Sequence, residues 1–551
     1  MAFYNLRIIH ILCLFIVTTS LLASRLFFLQ VMDSTKLTQE SINGRIQEVN
    51  MEVARGEILD RNGISLTDTA WHFSILVFPS QISELIRTAD ELTKITGIPF
   101  SKIISRLQEE TKPFKLKTDV DAVTAQKVNR KQLPGVVALA EKVRYGSSPV
   151  AAHVVGYINA VDNHGMSGIE KDYDEILRGS QPDSVAALVD AGQQIIPGLG
   201  YKRLKLPDAE EPGNIILTLD SRIQHIVEVV MDKYIHKGSV LILRPSTGEI
   251  LAMGSRPAFD ANHLGHYLNR EDSPLLNRTI AAYQPGSVFK LVIAAAALET
   301  KQVNLNDVFF DKGYIDVNNL RFKGWDFERG GRGKLTFLDA MAYSSNPVLI
   351  EVGQKLGPET IVSFAQRLGF GHKTKLNLDG ESGGNLPEAN QLYPGDLANL
   401  SIGQGTLEAT PLQIAMLVST IVNDGVKIDP LLVKKVITTN GKVLRNFQSD
   451  RKSRILSKST TDQLRQMMAA VTEYGTGQAA EIEGYGSAGK TGTAETGRTT
   501  PDGKGINHAW FAGYAPLEKP QYVLVVFVEE GMSGGDVAAP IFREIMTEIL
   551  K

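Results

Sequence analysis

Apolar and polar positions divide the chain into contrasting stretches. From Ile8 to Ser24 the sequence reads IIHILCLFIVTTSLLAS, seventeen residues with no formal charge beyond what His10 can acquire. After Arg25 the apolar character resumes as LFFLQVM. Seventeen helical residues span about 25 Å, and the extension past Arg25 covers the rest of a hydrocarbon core about 30 Å thick. Arg25, near one end, can snorkel to the headgroups. The pattern predicts a tail over residues 1–7 and one membrane-spanning helix over 8–32, with the long remainder translocated to the far side. A cleaved signal peptide is the competing expectation, but Leu21-Leu22-Ala23-Ser24 is a poor match to the small residues a cleavage site needs. Elsewhere no run approaches eighteen apolar residues; Leu291–Leu298 is too short and is followed by Glu299.

Residues 33–205 mix short strand-like and helical pieces, broken by turn signals at Arg61-Asn62-Gly63, Leu133-Pro134-Gly135 and Asn163-His164-Gly165. Leu206 to Asn214, LPDAEEPGN, concentrates Pro, Gly and acidic residues and is expected to be a linker. In residues 215–551, IILTL reads as a strand and Asp220-Ser221 as a helix cap. The helix after the cap has an apolar face of Ile223, Ile226, Val227 and Val230. SVLILRPSTGEILAMGS reads as a hairpin turning at Pro245–Gly248. Near the end, HAWFAGYAP and YVLVVFVEEG read as two further strands and PIFREIMTEILK as an amphipathic helix. Strands at both ends of a segment rich in helices predict an α+β fold with an antiparallel sheet drawn from both ends.

Composition narrows the function. Lys and Arg number 58 against 61 Asp and Glu, so there is no basic surplus of the kind a nucleic-acid binder carries. One cysteine, Cys13, excludes a disulfide scaffold and any multi-cysteine zinc site.

The segment Ser287–Thr300, SVFKLVIAAAALET, is apolar on every face except at Ser287 and Lys290, which predicts a buried helix. A desolvated ammonium costs several kcal/mol unless it is paired or gives up its proton. Spacing i, i+3 puts Ser287 and Lys290 on one helix face, the arrangement of an activated nucleophile and its base. Ser-x-x-Lys is a cheap pattern, however, and occurs again at Ser449/Lys452 and Ser487/Lys490. Burial separates the first match from the second, which lies in the polar stretch QSDRKSR. Further along stand Ser344-Ser345-Asn346 and, once in the chain, Lys490-Thr491-Gly492 before Thr493. SAGKTGTAE reads as a strand whose glycines leave room for a substrate backbone, although a turn is an alternative.

Taken in this order, Ser287-Val-Phe-Lys290, Ser344-Ser-Asn346 and Lys490-Thr-Gly492 resemble the three motifs of penicillin-binding proteins and serine β-lactamases. Flanking sequences match as well: TGEILAMGSRPAFDAN, NRTIAAYQPGSVFK and SIGQGTLEATPLQ. RGEILDRNG (Arg55–Gly63) and GMSGIEKDYDEIL (Gly165–Leu177) resemble the amino-terminal domain of class B penicillin-binding proteins. The resemblance implies a transpeptidase domain over 215–551 after an elongated mixed α/β pedestal, or dimerisation, domain over 33–205. It implies a single-pass protein of the bacterial cell membrane that cross-links peptidoglycan stem peptides through an acyl-serine and is acylated by β-lactam antibiotics. By the same resemblance, Ser287 is the nucleophile and Lys290 its base, Ser344 relays a proton, and Asn346 holds the substrate amide. Lys490 and Thr491 would bind the terminal carboxylate on the strand that continues through Gly492 and Thr493. Backbone N–H groups of Ser287 and Thr493 would form the oxyanion hole. Arg55, Asp60 and Arg61 would be structural. No metal or organic cofactor is implied; a glycosyltransferase partner is. A β-lactamase would be far shorter, and a bifunctional enzyme would carry a glycosyltransferase domain where residues 33–205 lie. A scaffold would have no need of these motifs.

Overall fold

The computed structural model describes residues 2–34, 46–50, 55–67, 70–146, 150–159, 163–179, 184–189, 201–204, 211–376, 378–449, 452–500 and 503–551. Most of the expected linker, residues 206–210, lies outside them. The amino-terminal helix runs Ala2–Phe27 and is continued by a wider π turn, Phe28–Met32; its side chains from Ile8 onward are exposed, apart from the half-buried Leu29. Residues 8–32 are long and apolar enough to cross a membrane.

The chain folds into two units. The smaller comprises residues 1–54, 71–143 and 180–210. In it, strands Phe114–Val120, Ala70–Val77 and Val136–Val143 form one sheet. Helices Leu85–Thr96, Phe100–Glu109 and Ala122–Arg130 contribute Ala89, Leu92, Ile103, Leu107 and Val128 to a core shared with Ile75 and Val77.

The larger unit comprises residues 55–70, 144–179 and 211–551. Helix α1 (Ser221–Tyr234) starts where Asp220 accepts the backbone N–H of Arg222. It leads into strands β1 (Gly238–Leu243) and β2 (Ile250–Arg256). Helix α2 (Lys290–Glu299), buried from Lys290 to Leu298, and, after α3 (Asn346–Leu356), the buried α4 (Pro411–Val422) follow. Next comes α5 (Lys458–Glu473), and strands β3 (Ala488–Thr499), β4 (Gly505–Ala515) and β5 (Tyr522–Val528) then complete an antiparallel sheet of order β2-β1-β5-β4-β3. Helix α6 (Ala539–Leu550) closes the chain.

Strand alternation sends Leu241, Val525, Phe527 and Trp510 to the face packed against α2, α4 and α5. Val240, Ile242, Leu524, Val526 and Phe511 go to the face packed against α1 and α6. Because both faces are covered, β1 and β5 read as unbroken apolar runs rather than alternating ones. Each large side chain so buried contributes about 1.5–3 kcal/mol by transfer from water. The strand IILTL does not join this sheet. Gly213–Leu217 instead lies between Val433–Thr438 and the short parallel strand Ile58–Leu59.

That parallel pairing shows why order along the chain differs from grouping in space. RGEILDRNG and GMSGIEKDYDEIL, which sequence order places within 33–205, fold together with residues 211–551. The fully buried Glu170 receives Arg55 Nε at 2.6 Å and Arg144 Nε at 2.7 Å, while Arg55 Nη2 also meets Asp174 at 2.7 Å. The Asp60 carboxylate accepts both the backbone N–H and the hydroxyl of Ser221, at 3.1 and 2.8 Å. Arg61 pairs with Glu249 at 3.2 Å. Burial would raise the Asp60 pKa, but hydrogen bonds from Ile64, Ser221 and Asn62 outweigh it and hold the carboxyl below its usual range.

Candidate active site

The turn that carries Ser287 is set by two glycines. Gly286 has φ +56°, and a Cβ there would lie 2.5 Å from the Thr493 carbonyl oxygen; one on Gly403 would lie 1.9 Å from the Gly286 carbonyl oxygen. Residues Gly286–Phe289 form a single 3₁₀ turn, and the α-helix begins at Lys290 rather than at Ser287. Ser287 is half-buried at the mouth of this turn and Lys290 is fully buried beneath it.

Lys290 Nζ donates to the Ser344 carbonyl oxygen at 2.8 Å, to Ser344 Oγ at 3.2 Å and to Asn346 Oδ1 at 2.6 Å. Lys490 Nζ donates to the same Ser344 Oγ at 2.9 Å and to the Thr491 carbonyl oxygen at 3.1 Å. One hydroxyl is thus shared between two lysine amino groups; where both donate, its lone pairs are occupied and its own proton is free to point outward. Lys290 engages Ser344 and Asn346 rather than Ser287, and Ser287 Oγ has no hydrogen-bond partner among the described residues. Catalytic hydrogen bonds are often open in a free enzyme and close on the substrate complex.

Both lysines are charged only at a cost. Burial, then the positive charge of Lys490, holds Lys290 well below the ordinary lysine value of 10.5, with Asp311 and Asp326 opposing the shift. Burial alone pushes Lys490 down to about 7.

Strand β3 is an edge of the sheet. Its alternation places Lys490 and Gly492 on one face and Thr491 and Thr493 on the other. Gly492 is needed for a different reason than the sequence suggests. A Cβ there would lie 2.8 Å from Val288 Cγ2 and 2.9 Å from the Pro285 carbonyl oxygen. The missing side chain therefore lets the nucleophile turn pack on the strand; it does not make room for substrate. Gly489 is likewise filled from within, by the Phe511 ring.

A cleft of about 1070 Å³ runs past these residues, lined by Ser287, Ser344, Asn346, Thr491, Thr493 and Trp325 among others. Lys290 and Lys490 lie under its floor. Sequence reasoning missed Thr476, whose hydroxyl meets that of Thr491 at 2.7 Å, and Gln404, whose amide reaches the Thr493 carbonyl at 3.5 Å. The Gly-Thr-Gly at 475–477 and the flanking match SIGQGT were the available signals. Among the described residues there is no group of three or more His, Cys, Asp or Glu that could hold a metal ion.

An accessible serine, a buried lysine inclined to lose its proton, and a hydroxyl shared between two lysines define a serine acyl-transfer enzyme. Comparison with known proteins gives the family. The transpeptidase domain of penicillin-binding proteins matches residues 238–547 and their dimerisation domain residues 50–198, and the chain belongs to the class B penicillin-binding proteins. It is 32% identical to stage V sporulation protein D of Bacillus subtilis (strain 168), over 99% of this chain and 85% of that one. It is 30% identical to penicillin-binding protein PbpB of Mycolicibacterium smegmatis, over 96% of this chain and 87% of that one. Among solved structures, the D,D-transpeptidase domain of a peptidoglycan glycosyltransferase from Eggerthella lenta superposes with a TM-score of 0.66 at 26% identity. That match covers 91% of this chain and 99% of the other.

Proposed function

We propose that the chain is a peptidoglycan D,D-transpeptidase working through an acyl-enzyme on Ser287. The Lys290–Ser344–Lys490 network beside a half-buried Ser287 hydroxyl that has no hydrogen-bond partner among the described residues is the observation that carries this assignment. Ser287 Oγ attacks the carbonyl of the penultimate D-Ala of a stem peptide, and its proton passes to neutral Lys290. The C–N bond breaks, Ser344 delivers a proton to the departing D-Ala nitrogen, and Lys490 and Lys290 reset the hydroxyl. An amine from a second stem peptide then attacks the ester, forms the cross-link and frees Ser287.

Asn346 holds the substrate amide. Thr491 and Thr493 offer hydroxyls to the terminal carboxylate from the cleft face of β3, while Lys490 supplies charge from below. Backbone N–H groups of Ser287 and Thr493 stabilise the oxyanion, about 3–4 kcal/mol per donor where such donors have been removed. β-Lactams enter the same cleft and leave Ser287 acylated.

A fluorescent penicillin tests this reading. A stable covalent adduct is expected; rapid turnover would indicate a β-lactamase, and absent labelling a scaffold.

Residues 8–32 serve as a single uncleaved anchor in the bacterial membrane, with the domains after it on the extracytoplasmic side. The part of residues 33–205 that lies in the smaller unit would form the pedestal, while 55–70 and 144–179 belong to the larger unit, and a glycosyltransferase in the same membrane would supply nascent glycan strands. Intact mass of detergent-extracted protein is expected to include the anchor. A mature chain starting near Arg25 would overturn it.

A further inference from the structure

Behind the Ser344-Ser345-Asn346 segment that Lys290 grips lies a carboxylate with no role so far. Asp311 ends the strand Val308–Asp311, which pairs with Gly333–Thr336, and is fully buried. A buried charge is costly without partners, yet no ion pair to Asp311 exists among the described residues. Its oxygens are instead committed to two hydrogen bonds. Oδ1 accepts the backbone N–H of Gly313 at 2.7 Å, and Oδ2 accepts the Ser345 hydroxyl at 2.6 Å.

Ser345 is the middle residue of Ser344-Ser345-Asn346, which the motif itself leaves without a task. Its hydroxyl oxygen also accepts the backbone N–H of Val348 at 3.3 Å and so caps α3. The residue before it, Ser344, has φ +57°, a left-handed conformation that costs a non-glycine residue about 1–2 kcal/mol. That turn aims the Ser344 carbonyl and hydroxyl at Lys290. The Asp311–Ser345 hydrogen bond therefore pins the residue on which the strained turn pivots. Placed beside the amino-terminal end of α3, the carboxylate also sits where a helix favours negative charge.

The charged groups facing Lys290 are few. Lys490 on β3 opposes its proton, while Asp311 and Asp326 favour it. We propose that Asp311 is a positioning residue for acylation of Ser287. It holds the Ser344 turn through the Ser345 hydroxyl and supplies buried negative charge at the residue between Lys290's two partners, Ser344 and Asn346. The proposal rests on Lys290 being the base for Ser287.

The test compares Asp311→Asn and Ser345→Ala with wild type in the full-length, detergent-solubilised chain. The rate of acylation by a fluorescent penicillin is followed against pH, together with the melting temperature. Asp311→Asn removes the charge, so the lysine limb of the profile is expected to move to lower pH and the plateau to fall about tenfold or more, as a weaker base predicts. Ser345→Ala removes the hydrogen bond but keeps the charge. Acylation is expected to slow while the limb stays in place. A wild-type rate in Ser345→Ala, or an unmoved limb in Asp311→Asn, would overturn the proposal; if Asp311→Asn does not fold, Ser345→Ala alone decides. Absence of any adduct in the wild-type chain would instead remove the acyl-enzyme assignment beneath it.

Discussion

Replacing Ser287 by alanine is expected to abolish covalent penicillin labelling while leaving the melting temperature within a few degrees of wild type. The fold should tolerate the change because the Ser287 hydroxyl is half-buried and makes no hydrogen bond among the described residues, so its removal orphans no partner. Chemistry should not tolerate it, since the oxygen that forms the ester is gone. Losing a nucleophile of this kind costs on the order of 10⁶ in turnover where it has been measured. Labelling and hydrolysis of a depsipeptide substrate, together with the melting temperature, check both halves. Undiminished labelling would move the nucleophile elsewhere.

Lys290→Ala is expected to be nearly as severe, slowing acylation about 10²–10⁴-fold, the usual contribution of a positioned base. The sign of the pH dependence follows from the burial of this lysine. A base works in its neutral form, so wild-type acylation should rise with pH through a limb that lies well below the ordinary lysine value of 10.5. Part of that depression comes from Lys490, so Lys490→Met should move the limb upward even as it weakens carboxylate recognition. A pH–rate profile of the wild type and both variants checks this. A limb near 10.5, or a Lys290→Ala enzyme at the wild-type rate, would take the base role away from Lys290.

The main elements of the larger unit were legible because its sequence signals are strong. The hairpin around Pro245–Gly248, the carboxy-terminal strands and the closing helix lie where alternation and helical periodicity put them. Ser287, Lys290, Ser344, Asn346 and Lys490 were legible as motifs, and the fold brings them together from separate segments. The competing Ser-x-x-Lys matches fail on geometry. Ser449 gives its hydroxyl to the Asp429 carbonyl, and Ser487 is buried just before β3 with its hydroxyl on the Ala480 carbonyl.

What pattern could not reveal were interactions made across long separations. Asp311 lies 34 residues from Ser345 in sequence, and nothing in VFFDKG marks its aspartate as buried. Glu170, 115 residues from Arg55, lies in the short helix Gly168–Asp172, and nothing in GMSGIEKDYDEIL marks its glutamate as a buried partner of arginines. The 3₁₀ entry to α2 was hidden for a local reason. The apolar pattern runs unbroken from Ser287 into α2 and so reads as one helix, whereas the close approach of Gly286 to Thr493 fits a tighter turn at Gly286–Phe289.

Mass spectrometry of the digested penicillin adduct tests the central claim most directly. The peptide carrying the penicilloyl group should contain Ser287, at one penicillin per chain. An adduct on a peptide containing Ser344, Ser449 or Ser487 would contradict the assignment of the nucleophile and the mechanism built on it.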